Sequence, residues 1–155
     1  MEPTPNEFPI RRLTAQDLPL ARALNVVFGE AFFEPDTYQG ATPSDAYLAA
    51  VLGRPHVVVL VALDGERVVG GLVAYVLEKL EQARSEVYLY DLAVAATVRR
   101  RGIARRLIAE LQAIAGRSGA WVVFVQADPG DEAAEKLYES LGTREAVYHY
   151  DLAPR

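Results

Sequence analysis

The ten residues VRRRGIARRL, 98–107, put three arginines and a glycine directly before a run that turns helical. From Ile103 on, apolar residues recur at Ala104, Leu107, Ile108, Leu111, Ile114 and Ala115, a helical period. The first amides of such a helix have no internal partner and point outward at its positive dipole end. Gly102 and the small Ala104 leave room for a phosphate to approach that backbone. Arg99, Arg100 and Arg101 add charge beside it. The pattern predicts a pyrophosphate cradle. Its competitors are a solvated basic face and a nucleic-acid patch. It is no Walker motif, because Lys-Ser/Thr does not follow the glycine, and no dinucleotide fingerprint, because only one glycine is present.

A second residue stands out just upstream. Asp91 lies in YLYDLAV, an otherwise apolar and aromatic strand pattern. A carboxylate there is costly to bury without a partner, which points either to a chemical role or to a salt bridge with an arginine. Regular alternation predicts Tyr88, Tyr90 and Leu92 on one face and Asp91 on the other. A bulge near Leu92 would change that.

The composition narrows the classes. At 155 residues the chain predicts one domain spanning 1–155, 51% hydrophobic and 24% charged. Sixteen basic against 21 acidic residues leave a net charge of −5, which repels polyanions and attracts cations. No nucleic-acid partner is therefore expected. No apolar run approaches the roughly 20 residues of a membrane span, and the acidic, Pro-rich MEPTPNEFPI does not read as a signal peptide. No membrane partner is expected. The absence of cysteine excludes a cysteine nucleophile and fits a reducing, cytoplasmic location. His56 and His149 stand far apart, so no metal site is expected.

The elements that must position these residues follow from periodicity and punctuation. FPIRRL reads as a first strand. A helix follows over 14–32, with Thr14 or Asp17 as cap. TPSDAYLAAVLG reads as a second helix, with Thr42 as cap, Pro43 at the first position, Asp45 completing a capping box and Gly53 at the end. HVVVLVAL and RVVGGLVAYVL form a hairpin about DGE, and VYLYDLAV follows a charged loop. After the helix from Ile103, AWVVFVQA is apolar on both faces, as in an interior strand. DEAAEKLYESLG is a short helix capped by Asp131, and AVYHYDL a final strand. The order β, α, α, β, β, β, α, β, α, β predicts an α/β mixed sheet, mostly antiparallel with one parallel pair, and helices on both faces.

LAVAATVRRRGIARRLI is similar to the Q/R-x-x-G-x-G/A segment of the GCN5-related N-acetyltransferase (GNAT) superfamily, carried here by Arg99, Gly102 and Ala104. DEAAEKLYESLG resembles that superfamily's following helix, with a Leu-Tyr pair and a closing glycine. The likeness covers residues 8–152. AYVLEKLEQARSEVYLYDLAV and VQADPGDEAAEKLYESLGTREAVYHYDL resemble more narrowly the type I aminoglycoside 3-N-acetyltransferases.

That resemblance implies acetyl-CoA as donor, the 3-amino group of an aminoglycoside antibiotic as acceptor, and antibiotic resistance as the role. It implies direct amine attack on the thioester, with no acyl-enzyme. Backbone at Leu92, Ala93 and Val94 would hold the pantetheine arm against a splayed strand. Arg99, Arg100, Arg101, Gly102, Ile103 and Ala104 would take the pyrophosphate, assisted by Arg105. Asp131, which stands where the superfamily often has asparagine, is implied at the CoA site too, where a carboxylate can only accept hydrogen bonds; it is also expected to cap the helix. Tyr138 is implied as the general acid toward the departing sulfur. The general base stays open among Asp91, Glu86, and a hydroxyl or water beside Tyr88 or Tyr90.

Acidic residues that could meet a polycation are Glu34, Asp36, Asp128, Asp131, Glu132 and Asp151. Alternative readings are acetylation of a polyamine or another small cationic amine, and a CoA-binding module without turnover. Relatives commonly dimerise, and the aromatic AVYHYDL suits an interface, so a homodimer is expected.

Overall fold

A computed structural model describes residues 7–155. Five strands form one sheet in sequential order: β1 (Ile10–Arg12), β2 (Val57–Asp64), β3 (Arg67–Glu78), β4 (Ser85–Val94) and β5 (Ala120–Val125). The first three pairings are antiparallel and β4–β5 is parallel, the mixed α/β sheet expected. Among the described residues no helix is long and apolar enough to cross a membrane.

Helices cover both faces. α1 (Leu18–Ala31), α2 (Pro35–Gln39) and α3 (Asp45–Leu52) join the core built on Leu24, Phe28, Val59, Val61 and Ala93. α4 (Ile103–Arg117) packs Ile103, Leu107, Ile108 and Leu111 against Leu60, Leu72, Val87 and Leu89 on the opposite face. α5 (Glu132–Glu139) follows β5. Contact between α1 and the sheet depends on Gly71, because a Cβ there would lie 2.5 Å from both Leu24 Cδ1 and the Leu60 carbonyl.

Local signals were largely followed. Gly65, at φ +61°, makes the β2–β3 turn, and Asp131 caps α5 by accepting from the Ala134 amide at 3.2 Å. At α3 the cap is Ser44 rather than Thr42; its Oγ accepts from the Tyr47 amide at 3.1 Å. That register leaves Tyr47 at the third helical position, so Asp45 completes no capping box. Asp17 flanks α1 but turns its carboxylate away from the helix, onto the Thr14 amide at 2.7 Å and Arg11 at 2.5 Å.

Three expectations are corrected. The loop between the first two helices contains α2, whose five residues are too few for a periodic signal. β5, expected in the interior, ends the sheet. Residues 146–152 form no strand: 144–155 run without turn or hydrogen-bonded ladder, and their side chains are exposed. A strand needs a partner as well as a pattern, and among the described residues this segment has none.

Candidate active site

The parallel β4–β5 ladder runs from Ser85↔Ala120 to Leu89↔Val125 and stops there, although β4 continues to Val94. Beyond Leu89 the two strands splay, and one edge of β4 is open. Hydrogen bonds to β3 identify which groups face the gap. Ala95 donates to the Val69 carbonyl at 2.8 Å. Bonded and non-bonded pairs alternate along an antiparallel ladder, so Ala93, opposite Gly71, turns its amide and carbonyl toward β3. Leu92 and Val94 turn theirs into the gap. Of the three residues implied for the pantetheine arm, Ala93 is therefore excluded as a backbone partner. The Val94 carbonyl also receives Arg99 Nε at 3.4 Å.

A bulge decides the chemistry at the mouth of the gap. Val73 pairs with Asp91 and Ala74 with Leu89, so Tyr90 is the extra residue. Leu89 and Leu92 both stay on the α4 face, while Asp91 shares the α1–α2 face with Tyr88. This overturns the alternation expected for β4; the irregularity lies at Tyr90 rather than Leu92. On that face Tyr38 of α2 donates from its hydroxyl to Asp91 Oδ1 at 3.1 Å. Phe28 and Phe32 hold the Tyr38 ring, with centroids 5.8 and 5.7 Å away. Burial pushes the Asp91 carboxyl above the usual carboxylate range; the Tyr38 bond offsets part of this, and the Glu34 carboxylate adds to it. Asp91 forms no ion pair among the described residues, so its partner is a phenol and not an arginine.

Tyrosines line the approach. Tyr90 lies 5.8 Å from Tyr75 and 5.3 Å from Tyr88, and Tyr88 stacks on Phe124 at 4.6 Å. The Tyr88 hydroxyl donates to Gln126 Oε1 at 2.8 Å, bridging β4 to the segment after β5. Burial and the negative charge of Asp91 raise the Tyr75 and Tyr88 pKa values, which keeps both phenols protonated. Glu86 lies five residues before Asp91, roughly 15 Å along a strand, and pairs with Lys79 at 3.7 Å. It is remote from the bulge.

The arginine–glycine turn opens α4, with a division of labour among its arginines. Gly102 caps α4 at φ +73° and supplies no side-chain bond. The first intrahelical bond is Arg106 to the Gly102 carbonyl at 3.1 Å, so the amides of Ile103, Ala104 and Arg105 remain for an anion. A Cβ at Gly102 would meet nothing within 4 Å, so the space beside this turn is open. Arg100, at φ +64°, makes no hydrogen bond or ion pair among the described residues. Arg101 is committed elsewhere, 2.8 Å from Glu7 and above the Phe8 ring. Arg105 donates to Ser140 Oγ at 2.7 Å and ties α4 to the end of α5. The Ile103 side chain is buried, so only its amide can serve.

Tyr138 sits on α5 beside Leu137, half-buried against the α4-face core. Burial and the nearby Asp131 carboxylate raise its pKa, so it holds its proton at neutral pH. The remaining predicted carboxylates are dispersed. Glu34 precedes α2 and stands close enough to influence Asp91. Asp36 lies in the first turn of α2, Asp128 in the turn before α5 and Glu132 at the start of α5, all exposed. Asp151 is on the C-terminal segment, 2.8 Å from His149. Sequence reasoning missed Tyr38, Tyr75, Phe124 and Gln126. Tyr38 carried no signal, because its partner is 53 residues away.

The assignment of Tyr38 has a direct check. Tyr38→Phe removes the bond that favours ionised Asp91, so the acid limb of a pH–rate profile should move to higher pH. The limb should move by roughly one pH unit or more, the scale of one hydrogen bond to a charged group, with activity recovered at high pH. A uniform loss at every pH would make Tyr38 merely structural.

Comparison with known proteins adds the context of relatives. The acetyltransferase (GNAT) family model matches residues 23–143. An aminoglycoside acetyltransferase, HMB0005, from an uncultured soil metagenomic sample is 44% identical, with a TM-score of 0.93 over 96% of this chain and 99% of that one. Another from such a sample, meta-AAC0020 in complex with sisomicin, is 33% identical, with a TM-score of 0.88 over 97% and 98%. The aminoglycoside N-acetyltransferase AAC(6')-Iy in complex with CoA shares the fold at 20% identity, with a TM-score of 0.73 over 100% and 99%. No curated protein matches the chain in sequence.

Proposed function

The chain belongs to the GNAT family of acetyltransferases, and from that premise we propose that it moves an acetyl group from acetyl-CoA to the 3-amino group of an aminoglycoside. The observation carrying this reading is Asp91, half-buried at the bulge, hydrogen-bonded to Tyr38 and set where β4 and β5 part. Two similar proteins, at 44% and 33% identity, are aminoglycoside acetyltransferases, which supports the acceptor class.

Acetyl-CoA supplies a thioester already activated toward amines. The open space at Gly102, the three unpartnered amides of α4 and the uncommitted Arg100 suit its pyrophosphate. Leu92 and Val94 offer backbone groups for an extended amide-bearing arm lying in the gap, as a strand would. A polycationic acceptor enters past Tyr75, Tyr88 and Tyr90, whose π faces favour cations, and meets Asp91 and Glu34. Asp91 takes one proton from the acceptor's ammonium. The freed amine forms the new N–C bond, the C–S bond breaks and Tyr138 gives its proton to the sulfur; the second proton, shed by the acylated nitrogen, returns through water to the Tyr138 phenolate. The absence of cysteine supports a direct transfer and a cytoplasmic setting.

The test is thiol release from acetyl-CoA with sisomicin, gentamicin, kanamycin and spermidine, followed by NMR of the acetylated product. Release with the aminoglycosides and an acetyl group on the 3-amino nitrogen is expected. Release with spermidine alone would discard the acceptor, and acetylation at another amine would discard the regiochemistry. Tyr138→Phe should lower kcat by roughly 10²-fold, a typical contribution of one acid–base group, with CoA affinity unchanged in calorimetry. Loss of CoA affinity instead would make Tyr138 a packing residue.

A further inference from the structure

The helix that carries Tyr138 is held to the domain by little. None of the eight residues of α5 is fully buried, and the side chains it packs against the core are the half-buried Leu137 and Tyr138. Its ion pairs among the described residues go to Arg144, a near neighbour in the chain. Among the described residues one hydrogen bond joins the end of α5 to an element distant in sequence. Arg105 of α4 donates from Nη2 to Ser140 Oγ at 2.7 Å, across 35 residues of chain.

The donors and acceptors of this contact are consistent. Ser140 Oγ gives its own hydrogen to the Leu137 carbonyl at 2.6 Å, so Arg105 meets a lone pair. One residue on, the Tyr138 carbonyl accepts the Leu141 and Gly142 amides at 3.0 and 2.9 Å. The guanidinium thus stands at the C-terminal end of α5, where the helix dipole favours a cation, and it holds the turn that contains Tyr138. Arg105 belongs to the start of α4 as well. Its backbone amide is one of the three that this helix leaves for an anion.

We propose that Arg105 is a positioning residue: by holding Ser140, its side chain sets where the Tyr138 hydroxyl lies relative to a donor bound at the start of α4. This rests on the reading of Tyr138 as the general acid. The role asks nothing of the Arg105 side chain toward a phosphate. Proton transfer to a departing sulfur is sensitive to displacements of about 1 Å, and α5 has no second such bond among the described residues to restore the geometry.

Kinetics of Arg105→Ala, Ser140→Ala and the double variant test this. Each single variant should lower kcat by roughly tenfold, with the KM for acetyl-CoA and the calorimetric affinity for CoA unchanged. The double variant should lose no more than either single, because both remove one contact. Ser140→Thr keeps the hydroxyl and should retain most of the rate. In a Tyr138→Phe background, Arg105→Ala should have no further effect, and hydrogen exchange at the amides of 136–142 should be faster in Arg105→Ala than in wild type. Weaker CoA binding at unchanged kcat would make the Arg105 side chain a phosphate ligand instead. Additive losses in the double variant, or a loss that persists beside Tyr138→Phe, would break the link to Tyr138. A slow Tyr138→Phe beside a fast Arg105→Ala would sink this proposal alone, whereas a Tyr138→Phe as fast as wild type would sink the general acid and this proposal with it.

Discussion

Asp91→Asn is expected to lower kcat/KM for the amine acceptor by roughly 10²- to 10⁴-fold, the range of one general base. Its folding stability at pH 7 should be unchanged or higher. Both halves follow from the raised Asp91 pKa. A base acts only when ionised, so wild-type activity should decline as pH falls through that raised value. The asparagine variant should lack this limb. For stability the sign is opposite. A carboxyl whose pKa is higher folded than unfolded destabilises the fold above its folded pKa, and that cost disappears as pH falls below the unfolded value. Neutral asparagine removes the cost and still accepts the Tyr38 hydroxyl. Activity lost without stability lost, measured as kcat/KM against pH beside Tm against pH, identifies a base. An unchanged profile would pass the role to water at Tyr88 and Gln126, because Glu86 is paired with Lys79 and distant.

Gly102→Val should weaken CoA binding by roughly 10- to 100-fold, the effect of about 1–3 kcal/mol of local strain at a site also narrowed by a side chain. Two causes act together. Gly102 sits at φ +73°, a conformation a β-branched residue strongly resists. A Cβ there would also project into space with no protein atom within 4 Å, beside the helix start to which our reading assigns the pyrophosphate. Calorimetry with CoA and with pantetheine separates cradle from general damage. Pantetheine lacks the pyrophosphate, so its affinity should be nearly the same in wild type and variant. Equal losses for both ligands would point to misfolding around α4, and unaffected CoA binding would remove the cradle from the site.

Much of the local structure around the starts of α4 and α5 was legible because its determinants are local. The arginine–glycine turn, the helix period from Ile103 and the Asp131 cap each act within a few residues, where residue type alone sets backbone conformation and orphan amides. Even there, the pairing of Arg101 with Glu7 was invisible, since 94 residues separate them. The acceptor side was not legible. A bulge belongs to a pair of strands, and only the β3–β4 register reveals that Tyr90 is the extra residue.

By itself, then, the sequence determined the order of elements from β1 to α5 apart from the short α2, the hairpin at Gly65, the glycine-capped start of α4 and the presence of a carboxylate in an aromatic strand. Tertiary structure alone decided which face Asp91 occupies, that Tyr38 meets it, that Leu92 and Val94 rather than Ala93 open toward the gap, and that β5 ends the sheet. The first set depends on torsional preference and periodicity along the chain. The second depends on which distant segments pair and in what register, and single-strand patterns leave that register undetermined.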